Sequence, residues 1–225
     1  MSDEIRLAVF DCDGTLVNSQ YSIIHCMQAA FEEEGLTRPD EESIRRIIGL
    51  PLTEGISFLN PKISQNVVGK IQEAYSSFWQ VLRKQSELDE PLYPGTAEVL
   101  EKLIARGWIL GIATGKSYRG LIATLEKHKI LEMFESLQTA DKARGKPDPE
   151  MLINAMNDVG APAENTFMVG DTTFDMEMAV NAGITAIGVE WGYHHASELK
   201  TSGAHIIIKN YLDLPNVLDD IRSSS

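Results

Sequence analysis

The sequence predicts an α/β protein, a mostly parallel sheet with helices on its faces, interrupted by one all-helical insert. Three observations predict it. Short, almost unbroken apolar runs recur along the chain, as strands buried on both faces require. Segments with apolar residues at helical spacing separate those runs, which is the pattern of βαβ units. Between about residues 21 and 90 the alternation stops and only helical patterns remain.

The first strand is expected over residues 5–10, Ile-Arg-Leu-Ala-Val-Phe. Helical patterns follow over 21–34, 40–48, 52–59 and 63–84. In the last of them Phe78, Trp79 and Leu82 read as packing within the insert. The alternation resumes after Leu92-Tyr93-Pro94-Gly95. Residues 96–106 place Val99, Leu100, Leu103 and Ile104 on one helical face, and a strand is expected at 108–113. A helix over 117–128 has Leu121, Ile122 and Leu125 at helical spacing, and another over 149–159 has Leu152, Ile153 and Met156. Asp148 is the expected N-cap of the latter, with Pro149 as its first residue. Strands at 166–169, 184–189 and 205–208 complete the pattern. The expected division is residues 1–17 and 90–225 for the core and 18–89 for a second, helical domain, with linkers near 15–19 and 89–95.

Composition narrows the function. The 225 residues suffice for one large domain, or for a core with a smaller module. A net charge of −13 opposes binding to nucleic acid, whose phosphates need a basic surface, and to an anionic membrane. A small phosphorylated ligand stays open, because a few cations or one divalent metal reverse the field inside a pocket. No apolar stretch is long enough to span a bilayer, and the charged start reads as the beginning of a strand rather than a signal peptide. Two cysteines, Cys12 and Cys26, make no disulfide framework, so a reducing cytoplasm is expected.

In an open α/β sheet, ligands bind outside the carboxyl ends of the strands. The first strand ends in Asp11-Cys12-Asp13-Gly14-Thr15, the second in Thr114-Gly115-Lys116-Ser117, and a later one in Gly170-Asp171-Thr172-Thr173-Phe174-Asp175. Gly145-Lys146-Pro147-Asp148-Pro149 precedes a helix. Asp, Asp, Thr, Lys, Asp and Asp can thus converge on one rim. The stretch "GIATGKS" mimics a Walker loop but has three residues between its glycines where that motif needs four. Cys12 reads as a small buried filler, and His194-His195 as part of a surface loop.

These four stretches, taken in order, resemble the haloacid dehalogenase superfamily, specifically its phosphatases with a helical cap after the first motif, such as phosphoglycolate phosphatase-like enzymes. "DCDGTLVNS" is similar to the first motif, Thr114 to the second, Lys146 in "GKPDP" to the third and "GDTTFD" to the fourth. The resemblance covers nearly the whole chain and implies a Rossmann-like core with an inserted cap. The implied enzyme is a Mg²⁺-dependent phosphomonoester hydrolase acting on a small phosphorylated metabolite, phosphoglycolate-like, through an aspartyl-phosphate. Asp11 as a carboxylate can attack phosphorus. Asp13 can protonate the leaving alcohol and later activate water, aided by repulsion from neighbouring carboxylates. Thr114 and the N–H groups from Gly115 onward would grip phosphoryl oxygens, and Lys146 would neutralise nucleophile and phosphoryl group. Asp11, Asp171 and the Asp13 carbonyl are implied as metal ligands, with Asp175 a ligand or an acceptor for metal-bound water. Gly49 and Leu50, in "IGLPL", are expected to face the site from the cap, while Arg45, Arg46, Arg83 and Lys84 are candidate anion contacts.

A hexose-phosphate mutase of the same fold remains an alternative. A dehalogenase would lack the second aspartate. A signalling receiver domain uses a similar acidic pocket but needs no helical insert, and a kinase would rest on the failed Walker spacing.

Overall fold

Leu7–Phe10 carries no polar side chain and forms β1, with all four residues buried. In the computed structural model, which describes residues 5–85 and 88–223, β1 lies between β2 (Ile109–Thr114) and β4 (Thr166–Gly170). The sheet has six parallel strands in the order β3-β2-β1-β4-β5-β6, where β3 is Ser136–Thr139, β5 Thr185–Val189 and β6 Ile206–Ile208. The strand order reverses direction at β1, so the crevice beyond its carboxyl end, flanked by β2 and β4, is the natural place for a ligand.

Helices α1 (Gln20–Glu33), α2 (Glu41–Ile47), α3 (Leu52–Leu59) and α4 (Gln65–Gln85) follow β1 without an intervening strand. They pack round a hydrophobic cluster of their own that includes Met27, Phe31, Ile44, Ile56 and Ile71. The chain re-enters the sheet region beside its exit: Val17 bridges Leu92, and Asn18 N–H donates to the Pro91 carbonyl at 2.8 Å. Two further apolar clusters sandwich the sheet. One contains Phe10, Leu100, Ile112 and Phe167 under α5 (Thr96–Ala105) and α6 (Tyr118–Lys127). The other contains Leu7, Val9, Leu152 and Met176 under α7 (Glu150–Val159) and α8 (Thr173–Ala182). Helices α9 (Ala196–Thr201) and α10 (Leu214–Ser223) complete the chain. Among the described residues, no helix is long and apolar enough to cross a membrane.

The five expected strands are present within two residues at each end. The sixth, β3, was not expected, because Ser-Leu-Gln-Thr has no apolar run. It lies at the sheet edge, and its polar residues are matched sideways: Ser136 Oγ donates to Asp158 Oδ2 at 2.6 Å. Helix α8 has no apolar stripe to mark its extent. Its apolar residues are spread round the helix, and a reciprocal bond between Thr172 and Asp175 starts it instead. Helix α7 begins at Glu150, whose N–H donates to Asp148 Oδ1 at 3.0 Å, so the aspartate acts at the helix start one position further out than expected.

Candidate active site

Three strand ends supply the floor of the site. Asp11 follows β1, Thr114 closes β2 and Asp171 follows β4. Asp175, in the first turn of α8, lies a helical turn beyond Asp171 on the same side. Oxygens of Asp11, Asp171 and Asp175 come within 4.8 Å of one another, and all three residues are buried. Lys146 reaches in from the loop before α7. Its Nζ lies 2.8 Å from Asp11 Oδ1 and 2.6 Å from Asp175 Oδ1, and its side chain is fully buried.

The hydrogen bonds around this group aim the carboxylates. Asp171 accepts from Thr15 Oγ1 at 2.8 Å on Oδ1 and from the Tyr193 N–H at 2.9 Å on Oδ2. Asp175 Oδ2 accepts from the Thr172 hydroxyl and N–H, leaving Oδ1 for Lys146. Asp11 Oδ2 is sealed from solvent and has no hydrogen-bond partner among the described residues. Burial and the nearby Asp175 push the Asp11 carboxyl up to about 6 against the pull of Lys146. Burial, then Asp175 and Asp11, raise Asp171 well above the carboxylate range. Burial works against the Lys146 charge, but Asp11 and Asp175 outweigh it and hold the ammonium above its usual range. Three buried carboxylates face one ammonium, and one carboxylate oxygen has no partner. That donor set, all hard oxygens, fits a divalent cation.

Gly14 carries the chain past this cluster at φ +94, and a Cβ there would sit 2.2 Å from Asp171 Oδ2. The residue is glycine because the backbone both turns left-handed and skims a carboxylate.

Asp13 points elsewhere. Its carboxylate lies outside the three-aspartate group and pairs with Lys116 Nζ at 2.8 Å, while Ser19 Oγ donates to it at 2.6 Å. Asp13 still acts on the neighbouring Asp11 as a like charge, but Lys116 is an oppositely charged partner that the sequence reading did not foresee. Lys116, within the failed Walker stretch, links three groups. It contacts Asp13, lies 3.9 Å from the buried Glu90, and sits 4.9 Å from the centre of the Trp79 ring. Sequence offers no signal for this meeting, because Asp13, Trp79, Glu90 and Lys116 come from separate elements.

A cavity of about 360 Å³ opens above the floor, walled on one side by the strand ends and on the other by the helical insert. Asp11, Asp13, Thr114, Gly115 and Lys116 line it, as do Gly49 and Leu50. A Cβ added to Gly115 would lie 2.7 Å from the Gly49 carbonyl oxygen and 3.0 Å from that of Leu50, so the 48–52 loop rests directly on the rim. Of the four candidate anion contacts, Arg45 pairs with Glu41 and Arg46 with Glu198, Lys84 is exposed, and Arg83 lines the cavity. The expectation of a surface loop at His194-His195 is corrected for His194, which is buried and accepts the Thr173 N–H on Nδ1 at 3.1 Å.

An acid cluster at the switch point of a parallel sheet, a buried lysine beside it and a helical insert over it define a class of α/β hydrolase. The comparisons agree. The model of the haloacid dehalogenase-like hydrolases matches residues 8–189, and the chain belongs to that family. It is 35% identical over 212 residues to "Probable phosphatase IndB" of Dickeya dadantii, covering 92% of this chain and 91% of the relative. It is 26% identical to a phosphoglycolate phosphatase of Nitrosococcus oceani, over 97% of this chain and 98% of that protein. The crystal structure of a hydrolase from Pseudomonas syringae superposes with a TM-score of 0.85 at 27% identity, covering 96% and 99% of the two chains. The chain stands with the phosphatases of its family.

Proposed function

We propose that the protein hydrolyses a small phosphate monoester through a phosphoryl group carried on Asp11, with residues 18–89 acting as a cap. One observation carries the reading. The Asp11 carboxylate faces the cavity with an unpartnered oxygen and a buried lysine beside it. Asp11, Asp171 and Asp175, with the Asp13 carbonyl, would hold Mg²⁺, which when bound neutralises phosphoryl charge and lowers the barrier to an anionic nucleophile.

The rest falls to the chain's own residues. Asp11 acts as the carboxylate, with the Lys146 ammonium 2.8 Å away favouring its charged form. It attacks phosphorus, forming an O–P bond as the P–O bond to the alcohol breaks. Asp13 gives the departing oxygen a proton. A water then attacks the aspartyl-phosphate, passes its proton to Asp13 and restores Asp11. Lys146 holds Asp11 in one orientation and balances charge on the transferring group. Thr114 and the Gly115 N–H steady the phosphoryl oxygens. Lys116 keeps the Asp13 carboxylate directed at the cavity rather than at the acid cluster.

The names of similar proteins include a phosphoglycolate phosphatase and a pyrophosphatase, so phosphoglycolate is one member of a panel. The test is release of phosphate from para-nitrophenyl phosphate in Mg²⁺ without nucleotide. Wild type turns over steadily, excess EDTA stops it, and Asp11→Asn is inactive with an unchanged circular dichroism spectrum. Sustained turnover by Asp11→Asn would overturn the assignment of the nucleophile.

A further inference from the structure

The cavity is shaped for more than a phosphoryl group with a short tail. Helix α4 presents it with one stripe: Gln72, Tyr75, Ser76, Trp79, Gln80 and Arg83 recur at intervals of three or four residues. The middle of the stripe is aromatic. The Tyr75 and Trp79 rings lie 5.8 Å apart and only 30° from parallel. Ile23 and Met27 of α1 face the same space. At about 360 Å³ the cavity falls in the range of roughly 300–1,000 Å³ that holds ligands with an apolar body.

Arg83 closes the stripe. It lies one helical turn, about 6 Å, beyond Trp79. Its Nη2 is sealed from solvent and meets no hydrogen-bond partner among the described residues. A desolvated guanidinium nitrogen without an acceptor is costly, and the groups that compensate it best are anionic and planar. Arg119, at the start of α6, lines the same cavity from the core. With Lys116 they set three cations against the carboxylates of Asp11, Asp13 and Asp141 in the same lining, in a chain of net charge −13. Neither arginine serves the acid cluster, where Lys146 is the cation.

We propose that the substrate is the phosphate monoester of an alcohol with a flat apolar body and a second anionic group, the body lying against Trp79 and Tyr75 and the anion held by Arg83. This rests on the hydrolase reading above and names the substrate class of that same site. Trp79 touches Lys116, the partner of Asp13, so a ring stacked there sits beside the group that protonates the leaving oxygen. The anion then falls at Arg83, one helical turn along α4 from that ring. A two-carbon acid has no flat body to lie against Trp79 and Tyr75.

Paired esters test this: para-carboxymethylphenyl phosphate and its neutral counterpart para-ethylphenyl phosphate, whose leaving oxygens are chemically alike. Phosphoglycolate and acetyl phosphate are run beside them. Wild type should favour the carboxymethyl ester over the ethyl ester by about 10–100-fold in kcat/KM, the worth of a charge-assisted hydrogen bond. Both should exceed phosphoglycolate. Arg83→Leu should bring the ratio of the paired esters to about one, and Arg83→Lys should restore part of it, which a merely structural arginine would not do. A wild-type ratio near one, a ratio kept by Arg83→Leu, or phosphoglycolate as the best of the four would overturn the proposal. If wild type releases phosphate from none of them, acetyl phosphate included, the hydrolase reading itself has failed, and the subsite falls with it.

Discussion

The floor and the roof of the cavity are built on different terms. On the floor, side chains are buried, fixed by strand ends and aimed by one another. Asp171 is held by Thr15 and Tyr193, Asp175 by Thr172, and Lys146 lies between Asp11 and Asp175. On the roof, a helix face offers aromatic rings and a guanidinium nitrogen with no acceptor among the described residues. The insert meets the rim through the 48–52 loop and an ion pair between Arg46 and Glu198. The difference separates two jobs. Bond-making needs groups that do not move, and the sheet supplies them. Selection needs a surface that can vary in shape, and a helical insert joined at few points can vary without disturbing the sheet.

The largest expected effect tests the floor. Lys146→Met keeps most of the volume and removes the single cation among three buried acids. Breaking a buried ion pair on one side costs about 3–5 kcal/mol. Urea denaturation in EDTA should show a loss of that order, and phosphatase activity should vanish. If the variant is as stable as wild type, the floor is not organised by this pair, and the contrast with the roof loses its basis.

A middle-sized effect tests the seam. Gly115→Ala places a methyl group against the carbonyl oxygens of Gly49 and Leu50, which as backbone cannot swing aside. The loop must withdraw. A misplacement near 1 Å costs about 10²-fold in rate, while the overpacking costs only about 1–3 kcal/mol. kcat/KM should therefore fall steeply with a modest shift in melting temperature. Unaltered kinetics would mean that the loop's seating does not matter to the chemistry.

The same contrast explains what the sequence revealed. The floor was legible because each of its residues sits at a strand end or helix start, where local pattern fixes position. Asp11, Thr114, Lys146, Asp171 and Asp175 were read from four short stretches, and the structure brings them to one rim. The loop at Gly49 and Leu50 was legible only through the resemblance. Lys116, Thr15 and Tyr193 were missed because their roles depend on partners far along the chain. His194 was misread because a polar residue in a loop looks exposed until the helix N-terminus it satisfies is known. β3 was missed because an edge strand does not need an apolar run.

The smallest expected effect concerns the second tie between roof and floor. Arg46 and Glu198 form two parallel contacts at 2.7 Å, with about a third of each side chain exposed. Arg46 lowers the Glu198 carboxyl from 4.5 to about 2, helped by the His195 N–H. A depressed carboxylate contributes stability that is fully present above its unfolded value and is lost as pH falls through its folded one. The window is therefore about pH 4.5 down to about 2. Solvent screening holds the net worth to about 0–1 kcal/mol. Glu198→Gln should melt slightly earlier than wild type at pH 7, and the gap should narrow below pH 4.5 and in high salt. A gap that persists at pH 2, or that resists salt, would mean that Glu198 acts through packing rather than charge, and this tie between roof and core would then be one of shape.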